Sequence, residues 1–203
     1  MKTNFQIKNK FYLLFLIPLV SISACNTNYT VDKKRGYFKI DFPDKKYQTF
    51  NPPGYPYSFE YPTYAVITKD TTFFESATEN PWWINIDFPQ FSGRVFLSYK
   101  EIAKNNLDSL ISDAFIMSYK QHTSKASSIE ATPIKTQNKI EGIYFSLAGN
   151  TATANQFFVT DSVKHFLRGA LYFNAIPNED SLSVVNEFLK KDLKHLIETL
   201  RWQ

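Results

Sequence analysis

Apolar and polar side chains alternate most regularly between residues 82 and 100. Residues 82–88 (WWINIDF) place an apolar side chain at every second position, and this period of two predicts a β-strand. A turn through residues 89–93 leads into a second alternating run at 94–100, so the two strands form a predicted hairpin. Further strands are predicted at six places: 37–40, 57–61, 129–135, 140–147, 156–160 and 165–174.

Two stretches instead carry apolar residues at helical spacing. The first covers residues 106–121, where Asn105 or Asn106 is available as the N-cap. The second runs from Val185 to Leu200 and has the clearest apolar stripe in the chain. Strands, a helix, a run of antiparallel strands and a closing helix predict an α+β fold, in which two main helices cover a mostly antiparallel sheet.

The N-terminus shows a different pattern. Three lysines precede an apolar run at residues 11–20, which is too short to cross a bilayer as a stable helix and has the features of a signal peptide. The run ends in Ile22-Ser23-Ala24-Cys25, which matches a bacterial lipobox and predicts lipidation of Cys25. An ordinary secreted protein, cleaved near Ala24 and carrying a free thiol, is the alternative.

These patterns divide the chain into three segments. Residues 1–24 are a predicted lipoprotein signal peptide, and residues 25–34 are a predicted polar tether that begins with the lipidated Cys25. Residues 35–203 form a single predicted α+β domain, and its N-terminal part, 35–68, is rich in Pro and Tyr. Aromatic residues make up 17% of the whole chain, which is enough for a packed core and for some exposed binding surface.

The charge argues against a nucleic-acid partner. Residues 1–24 hold three of the 23 basic residues and none of the 19 acidic ones, so the remainder is close to neutral. Nucleic-acid binding needs Lys and Arg concentrated on one face of a clearly basic domain. The membrane, reached through the lipid on Cys25, is therefore the first predicted partner.

Catalytic and cofactor motifs give no support for an enzyme. His122, His165 and His195 lack the spacing that places two nitrogens on one metal ion, and we expect no metal or other cofactor. Asp161 and Ser162 beside His165 have the residue types of a hydrolase, but Asp-Ser is also common in hairpin turns. The sequence also lacks the glycine-rich motifs that bind phosphate.

Three residues are candidates for a partner surface. Trp82 and Trp83 point to opposite faces of the predicted strand, so one ring can enter the core while the other faces outward. Arg168 lies in an otherwise apolar strand, where a charged group needs water or a carboxylate. Either it forms a structural ion pair with an acid such as Asp87 or Glu141, or it contacts a partner.

Several longer strings resemble the gliding motility lipoprotein GldD family of the Bacteroidetes. They span most of the chain after Cys25: RGYF at 35–38, WWINI at 82–86, SYK at 98–100, MSY at 117–119, QFFVTDS at 156–162, FLRGALYFN at 166–174, PN at 177–178 and DS at 180–181. The resemblance implies a non-enzymatic envelope lipoprotein required for gliding, in a machinery linked to type IX secretion.

The same resemblance implies a location and partners. The family pattern carries over only to the acylated Cys25, and Asn26-Thr27-Asn28 lacks the acidic run associated with surface export. The expected location is the outer membrane facing the periplasm, with the inner membrane as the alternative, and other gliding and secretion proteins are the expected partners. The element order resembles the Mog1/PsbP type of sandwich. A rival function is an envelope small-molecule- or glycan-binding protein or hydrolase, acting through the Trp82-Trp83 region.

Overall fold

The computed structural model describes residues 39–73 and 76–203, with the backbone alone at 72–73 and 76–77. The predicted signal peptide, Cys25 and the predicted tether lie outside the described residues. Residues Ile40–Gln203 form one structural unit.

Among the described residues, the chain forms twelve strands and two α-helices. The strands are β1 (Tyr47–Phe50), β2 (Tyr57–Pro62), β3 (Val66–Lys69), β4 (Thr72–Phe73), β5 (Ser76–Ala77), β6 (Ile84–Phe88), β7 (Gly93–Glu101), β8 (Ala126–Lys135), β9 (Glu141–Gly149), β10 (Asn155–Thr160), β11 (His165–Phe173) and β12 (Arg201–Trp202). The helices are α1 (Leu107–Tyr119) and α2 (Glu179–Thr199).

A seven-stranded sheet forms the centre of the domain. Its strand order is β3-β6-β7-β11-β10-β9-β8, and each neighbouring pair is antiparallel. The hairpin of β6 and β7 and the run from β8 to β11 are each consecutive in sequence. The two groups meet only where β7 pairs with β11, with Ser98 directly opposite Arg168.

Helix α2 covers one face of this sheet. Its buried apolar residues pack against alternate residues of the central strands, including Leu167 and Leu171 of β11. Each fully buried aliphatic side chain contributes roughly 1.5–3 kcal/mol, so this layer is the main core. The α2 residues that take part are Val185, Leu189, Leu193, Leu196 and Ile197.

Helix α1 covers part of the opposite face, which we call the α1 face. Asn106 caps the helix, because its Oδ1 accepts a hydrogen bond from the Ser109 amide at 3.1 Å. Leu110 and Ala114 pack on the aromatic side chains of the sheet. Those side chains are Phe145, Phe158 and Phe166.

The Pro/Tyr-rich stretch forms a second, three-stranded sheet in the order β1-β2-β12. Its aromatic rings stack on one another and on the main core, as Phe50 does on Phe59 at 5.1 Å between ring centroids. Trp202 of the C-terminal strand pairs with Tyr57 of β2. Residues from the two ends of the described chain therefore share one sheet.

The predicted fold class is confirmed. The two helices and the antiparallel sheet that they cover are present, and each predicted strand from residue 82 onward overlaps an observed strand. The strand predicted at 37–40 is not observed at residues 39–40, and its first two residues lie outside the described residues. The predicted helices also match, although α2 begins at Glu179 and is capped by Asn178, whose Oδ1 accepts from the Ser181 amide at 3.2 Å.

Candidate functional site

The two tandem tryptophans lie at the entrance to β6 and take different roles. The side chain of Trp83 is buried, with 6% exposed, and its Nε1 donates to the Tyr99 carbonyl oxygen at 2.8 Å. Trp82 is partly exposed, and its Nε1 donates to the Gly54 carbonyl oxygen at 2.8 Å. Trp83 is therefore the ring that enters the core, and it offers little surface to a protein partner.

Arg168 lies on the α1 face of β11. Its Nη2 donates to Oε1 of Gln156 at 2.6 Å. Neither acid considered from the sequence is its partner, because Asp87 pairs with Arg94 and Glu141 pairs with Lys135. Within residues 39–73 and 76–203, Arg168 forms no ion pair with a carboxylate.

A small polar cluster surrounds Arg168 beneath the C-terminal half of α1. Gln156 is 1% exposed and also accepts from the Ser118 hydroxyl at 3.3 Å. The remaining donor of Gln156, Nε2, has no hydrogen-bond partner, and neither has Nε2 of the buried His122. Gln156 therefore brings unused N–H donors to the cluster, and the free ring nitrogen of His122 is a donor or an acceptor according to its tautomer.

Electrostatics in the cluster follow from its burial. Burial lowers the pKa of Arg168, and the nearby Tyr172 hydroxyl offsets only part of this effect. Burial also lowers the pKa of His122, and the positive charge of Arg168 acts in the same direction. We therefore expect a neutral imidazole beside a charged guanidinium at neutral pH.

A cavity of about 330 Å³, here called the α1 cavity, opens beside this cluster between α1 and the sheet. Arg168 is part of its lining, together with Ser98 and Lys100 of β7. Its apolar walls come from both layers and from the segment before β6: Trp83, Phe96, Leu97, Leu110, Ala114, Met117 and Phe166.

Beyond the cavity, the α1 face is open where helix α1 does not reach. We call this area the open face and define it by Val66, Asp87, Arg94, Phe96 and Tyr172. Val66 is 52% exposed and Phe96 is 38% exposed, which is high for apolar side chains on a central sheet. Phe96 also lines the α1 cavity, so the two features are continuous.

Side chains of the open face order one another. Phe96 packs edge-on against Tyr172 with 5.7 Å between ring centroids, and the Arg94 guanidinium lies 5.7 Å from the Phe96 ring. Arg94 is also held by its ion pair with Asp87 on the neighbouring strand. An ordered set of Arg, Tyr and Phe side chains is the composition enriched at protein interfaces.

The Asp161-Ser162-His165 group lies at the turn between β10 and β11. Oδ1 of Asp161 accepts the backbone amides of Val163, Lys164 and His165, which makes it the organising acceptor of the β10–β11 turn. Ser162 has a left-handed φ of 62° in the same turn. His165 is buried and its Nδ1 lies 2.7 Å from the Tyr99 hydroxyl.

Two further observations concern metals and membranes. In the part of the chain that the structure describes, no three His, Cys, Asp or Glu side chains are grouped closely enough to hold a metal ion. Of the helices in the described ranges, none has the length and apolar character needed to span a bilayer.

The sequence singled out Trp82, Trp83 and Arg168 as candidates. The structure brings Trp83 and Arg168 to the α1 cavity, whereas Trp82 lies against the loop between β1 and β2. Sequence reasoning did not identify Ser118, Gln156 or His122 as neighbours of Arg168. A glutamine beside two phenylalanines in β10 was the available signal, because a polar side chain within a buried strand requires partners.

Comparisons with known proteins give a family and likenesses to solved structures. A family model described as gliding motility lipoprotein GldD matches residues 27–202. A search of curated proteins found no match. The solution structure of cyanobacterial PsbP (CyanoP) from Synechocystis sp. PCC 6803 is similar with a TM-score of 0.46 and 9% identity, covering 82% of this chain and 98% of that one.

Proposed function

Because the chain belongs to the gliding motility lipoprotein GldD family, we propose that it is a non-enzymatic assembly component of the gliding machinery linked to type IX secretion. The observation that carries the proposal is the open face. It presents ordered aromatic and charged side chains, whereas helix α2 covers the opposite side of the same sheet. An exposed, ordered patch of this composition suits docking of another envelope protein.

The proposed anchor is a lipid on Cys25. Acylation at this position would place several hydrocarbon chains on the processed N-terminus, and two or more chains give stable membrane attachment. The polar residues 26–34 would then separate the lipid from the domain. With no acidic run at residues 26–28, we place the protein at the outer membrane on its periplasmic side.

The absence of enzymatic activity is part of the same proposal. The carboxylate of Asp161 is engaged by three backbone amides, and Nδ1 of His165 faces a tyrosine hydroxyl. The remaining carboxylate oxygen of Asp161, Oδ2, lies 3.9 Å from Nε2 of His165, which is beyond the hydrogen-bond distance that proton transfer within a triad requires. The arrangement therefore favours a structural role for the turn.

Site-specific photocrosslinking in gliding cells tests the docking surface. A photoreactive phenylalanine analogue at Phe96 samples the open face, and the same analogue at Val163 serves as the matched control. Val163 is 79% exposed but lies on the β10–β11 turn, at the other end of β11 from Tyr172. We expect subunits of the gliding or secretion machinery to crosslink from position 96 and not from position 163.

The outcome separates the proposal from its rival. Equal crosslinking from both positions, or none from position 96, would contradict docking at the open face. Normal gliding by cells whose Phe96→Asp variant is still anchored in the membrane would also contradict docking at the open face. In that case a ligand-binding role in the envelope would be the better explanation.

A further inference from the structure

We propose that the α1 cavity is a binding site for a small organic monocarboxylate with an apolar or aromatic body, held at its charged end by Arg168. The proposal does not depend on the docking of a protein on the open face, although the cavity and that face share Phe96.

The charge of Arg168 is the first argument. Its guanidinium carries five N–H donors, of which one is used by Gln156 and another faces the Tyr172 hydroxyl. No carboxylate of the described residues pairs with it, so the cation is partly removed from water without a counter-ion. A planar guanidinium binds a carboxylate through two parallel hydrogen bonds, which makes a carboxylate the matching ligand group.

The neighbours of Arg168 strengthen this preference for an anion. Oε1 of Gln156 already accepts from both Arg168 and Ser118, so it has little acceptor capacity left. The unmatched atoms nearby are Nε2 of Gln156 and Nε2 of His122. None of these immediate neighbours of Arg168 carries a negative charge, so the guanidinium is left able to attract an anion.

The walls of the cavity define the rest of the ligand. Apolar side chains from α1 and the sheet, among them Leu110, Met117 and Phe166, enclose the space beside the guanidinium. Sites for small organic ligands are typically cavities of about 300–1,000 Å³ with apolar walls and a few polar groups that fix the orientation. A cavity of about 330 Å³ lies at the small end of this range.

The acidic lining residues limit the charge of the ligand. Asp70, Glu79 and Asp113 all line the cavity, and Glu79 forms an ion pair with Lys100 at 3.0 Å. Burial raises the pKa of Glu79, but hydrogen bonds from Asn105 and Lys100 outweigh it and lower that pKa overall. The carboxylate stays charged, so the lining disfavours a dianion such as a phosphate monoester.

Binding of 3-phenylpropionate to the full chain in nonionic detergent tests the proposal by isothermal titration calorimetry, with detergent micelles alone as the blank. The amide 3-phenylpropanamide has the same body without the charge, and phenyl phosphate carries a second charge. We expect both comparison compounds to bind at least about tenfold more weakly, because a charge-assisted bond to Arg168 is lost or opposed.

Two variants assign the binding to the cavity. Arg168→Gln should weaken the binding of 3-phenylpropionate by about tenfold or more, whereas Arg94→Gln on the open face should leave it unchanged. Ser98→Leu fills the space opposite Arg168 without removing its charge and should also abolish binding. If Arg168→Gln fails to fold, Ser98→Leu and the comparison with 3-phenylpropanamide still show whether 3-phenylpropionate binds in the α1 cavity.

Three results would overturn the proposal. They are equal binding of the acid and the amide, unchanged binding by folded Arg168→Gln, and no binding of 3-phenylpropionate at millimolar concentration to the folded wild-type chain.

Discussion

The ammonium of Lys45 lies 2.7 Å from the carboxylate of Asp192, which joins the segment before β1 to the middle of α2. Asp192 is 2% exposed and also accepts hydrogen bonds from the hydroxyls of Tyr47 and Tyr64. Burial raises the pKa of Tyr47, and the Asp192 carboxylate adds to this effect, so that the pKa reaches about 12. One buried acid therefore holds three residues of the N-terminal part against the helix.

We predict that Asp192→Asn destabilises the domain by about 3 kcal/mol, because the variant leaves a partly buried Lys45 and two tyrosine hydroxyls without their charged acceptor. Urea unfolding followed by tryptophan fluorescence measures the change. Glu187→Gln on the same helix is the control, since that carboxylate is exposed and we expect a change below about 0.5 kcal/mol. Equal effects would contradict the role of Asp192.

Stability should decrease as the pH falls from about 7.5 to about 5.5. In the folded chain, burial holds the pKa of His122 below its ordinary value of 6.5. The contribution of the neutral imidazole to the free energy of unfolding is therefore complete above pH 6.5. It is lost as the pH falls, because protonation then favours the unfolded chain. His165 has a lowered pKa for the same principal reason, which is burial. His122→Leu should weaken this pH dependence without abolishing it.

Unfolding free energies at several pH values test this expectation. Carboxylates with lowered pKa values, such as Asp161, titrate below this window and should not contribute. If the unfolding free energies of the wild type and of His122→Leu differ by the same amount at every pH, protonation of His122 does not affect stability.

Gly142 of β9 should not tolerate a side chain. A Cβ at this position would lie 2.0 Å from the backbone oxygen of Phe158 and 2.9 Å from Cα of Val159, and neither atom can move without disturbing strand β10. We expect Gly142→Ala to cost at least about 3 kcal/mol, at the upper end of overpacking effects. Thermal unfolding provides the measurement.

Gly93→Ala offers a matched comparison for this prediction. There the nearest atoms to a new Cβ belong to the Phe173 ring, at 3.1 Å, and a side chain can shift. We expect its cost to remain below about 1 kcal/mol. A smaller cost for Gly142→Ala than for Gly93→Ala would show that the β9–β10 spacing is more adaptable than the structure indicates.

Cys25→Ala should abolish membrane attachment and gliding while the domain still folds, because the predicted lipid is the proposed anchor. Membrane fractionation, gliding assays and circular dichroism measure these three properties. Ser23→Ala, which keeps a small residue before the cysteine, serves as the control and should remain anchored. Normal gliding by an unanchored variant would contradict the need for the anchor.

Local patterns explain why much of the fold was predictable. The alternation in residues 84–88 and the apolar stripe of α2 each report which side of one element is buried. Strand β12 has only two residues, Arg201 and Trp202, and is too short for any periodicity. It exists because it pairs with β2 near the other end of the described chain, which a local pattern cannot reveal.

The site was less predictable for the same reason. The sequence leaves two interpretations of Arg168, an ion pair with an acid such as Asp87 or Glu141 and a contact with a partner. The register of the sheet instead places Arg94 directly opposite Asp87 and brings Gln156 to Arg168. The α1 cavity likewise depends on where helix α1 ends across the sheet, and this follows from tertiary packing.

The pairing of β7 with β11 also determines when the domain can form. Strand β7 ends at Glu101 and its partner begins at His165, so the central pair of the sheet must wait for a long intervening segment. Pairing between distant segments slows folding and leaves strand edges available for aggregation. A chain that emerges from a translocation channel in order would form the β6–β7 hairpin first. The outer edge of β7 would stay unpaired until β11, which ends at residue 173, has followed. We therefore expect this interval to be the step at which a holding chaperone is most useful.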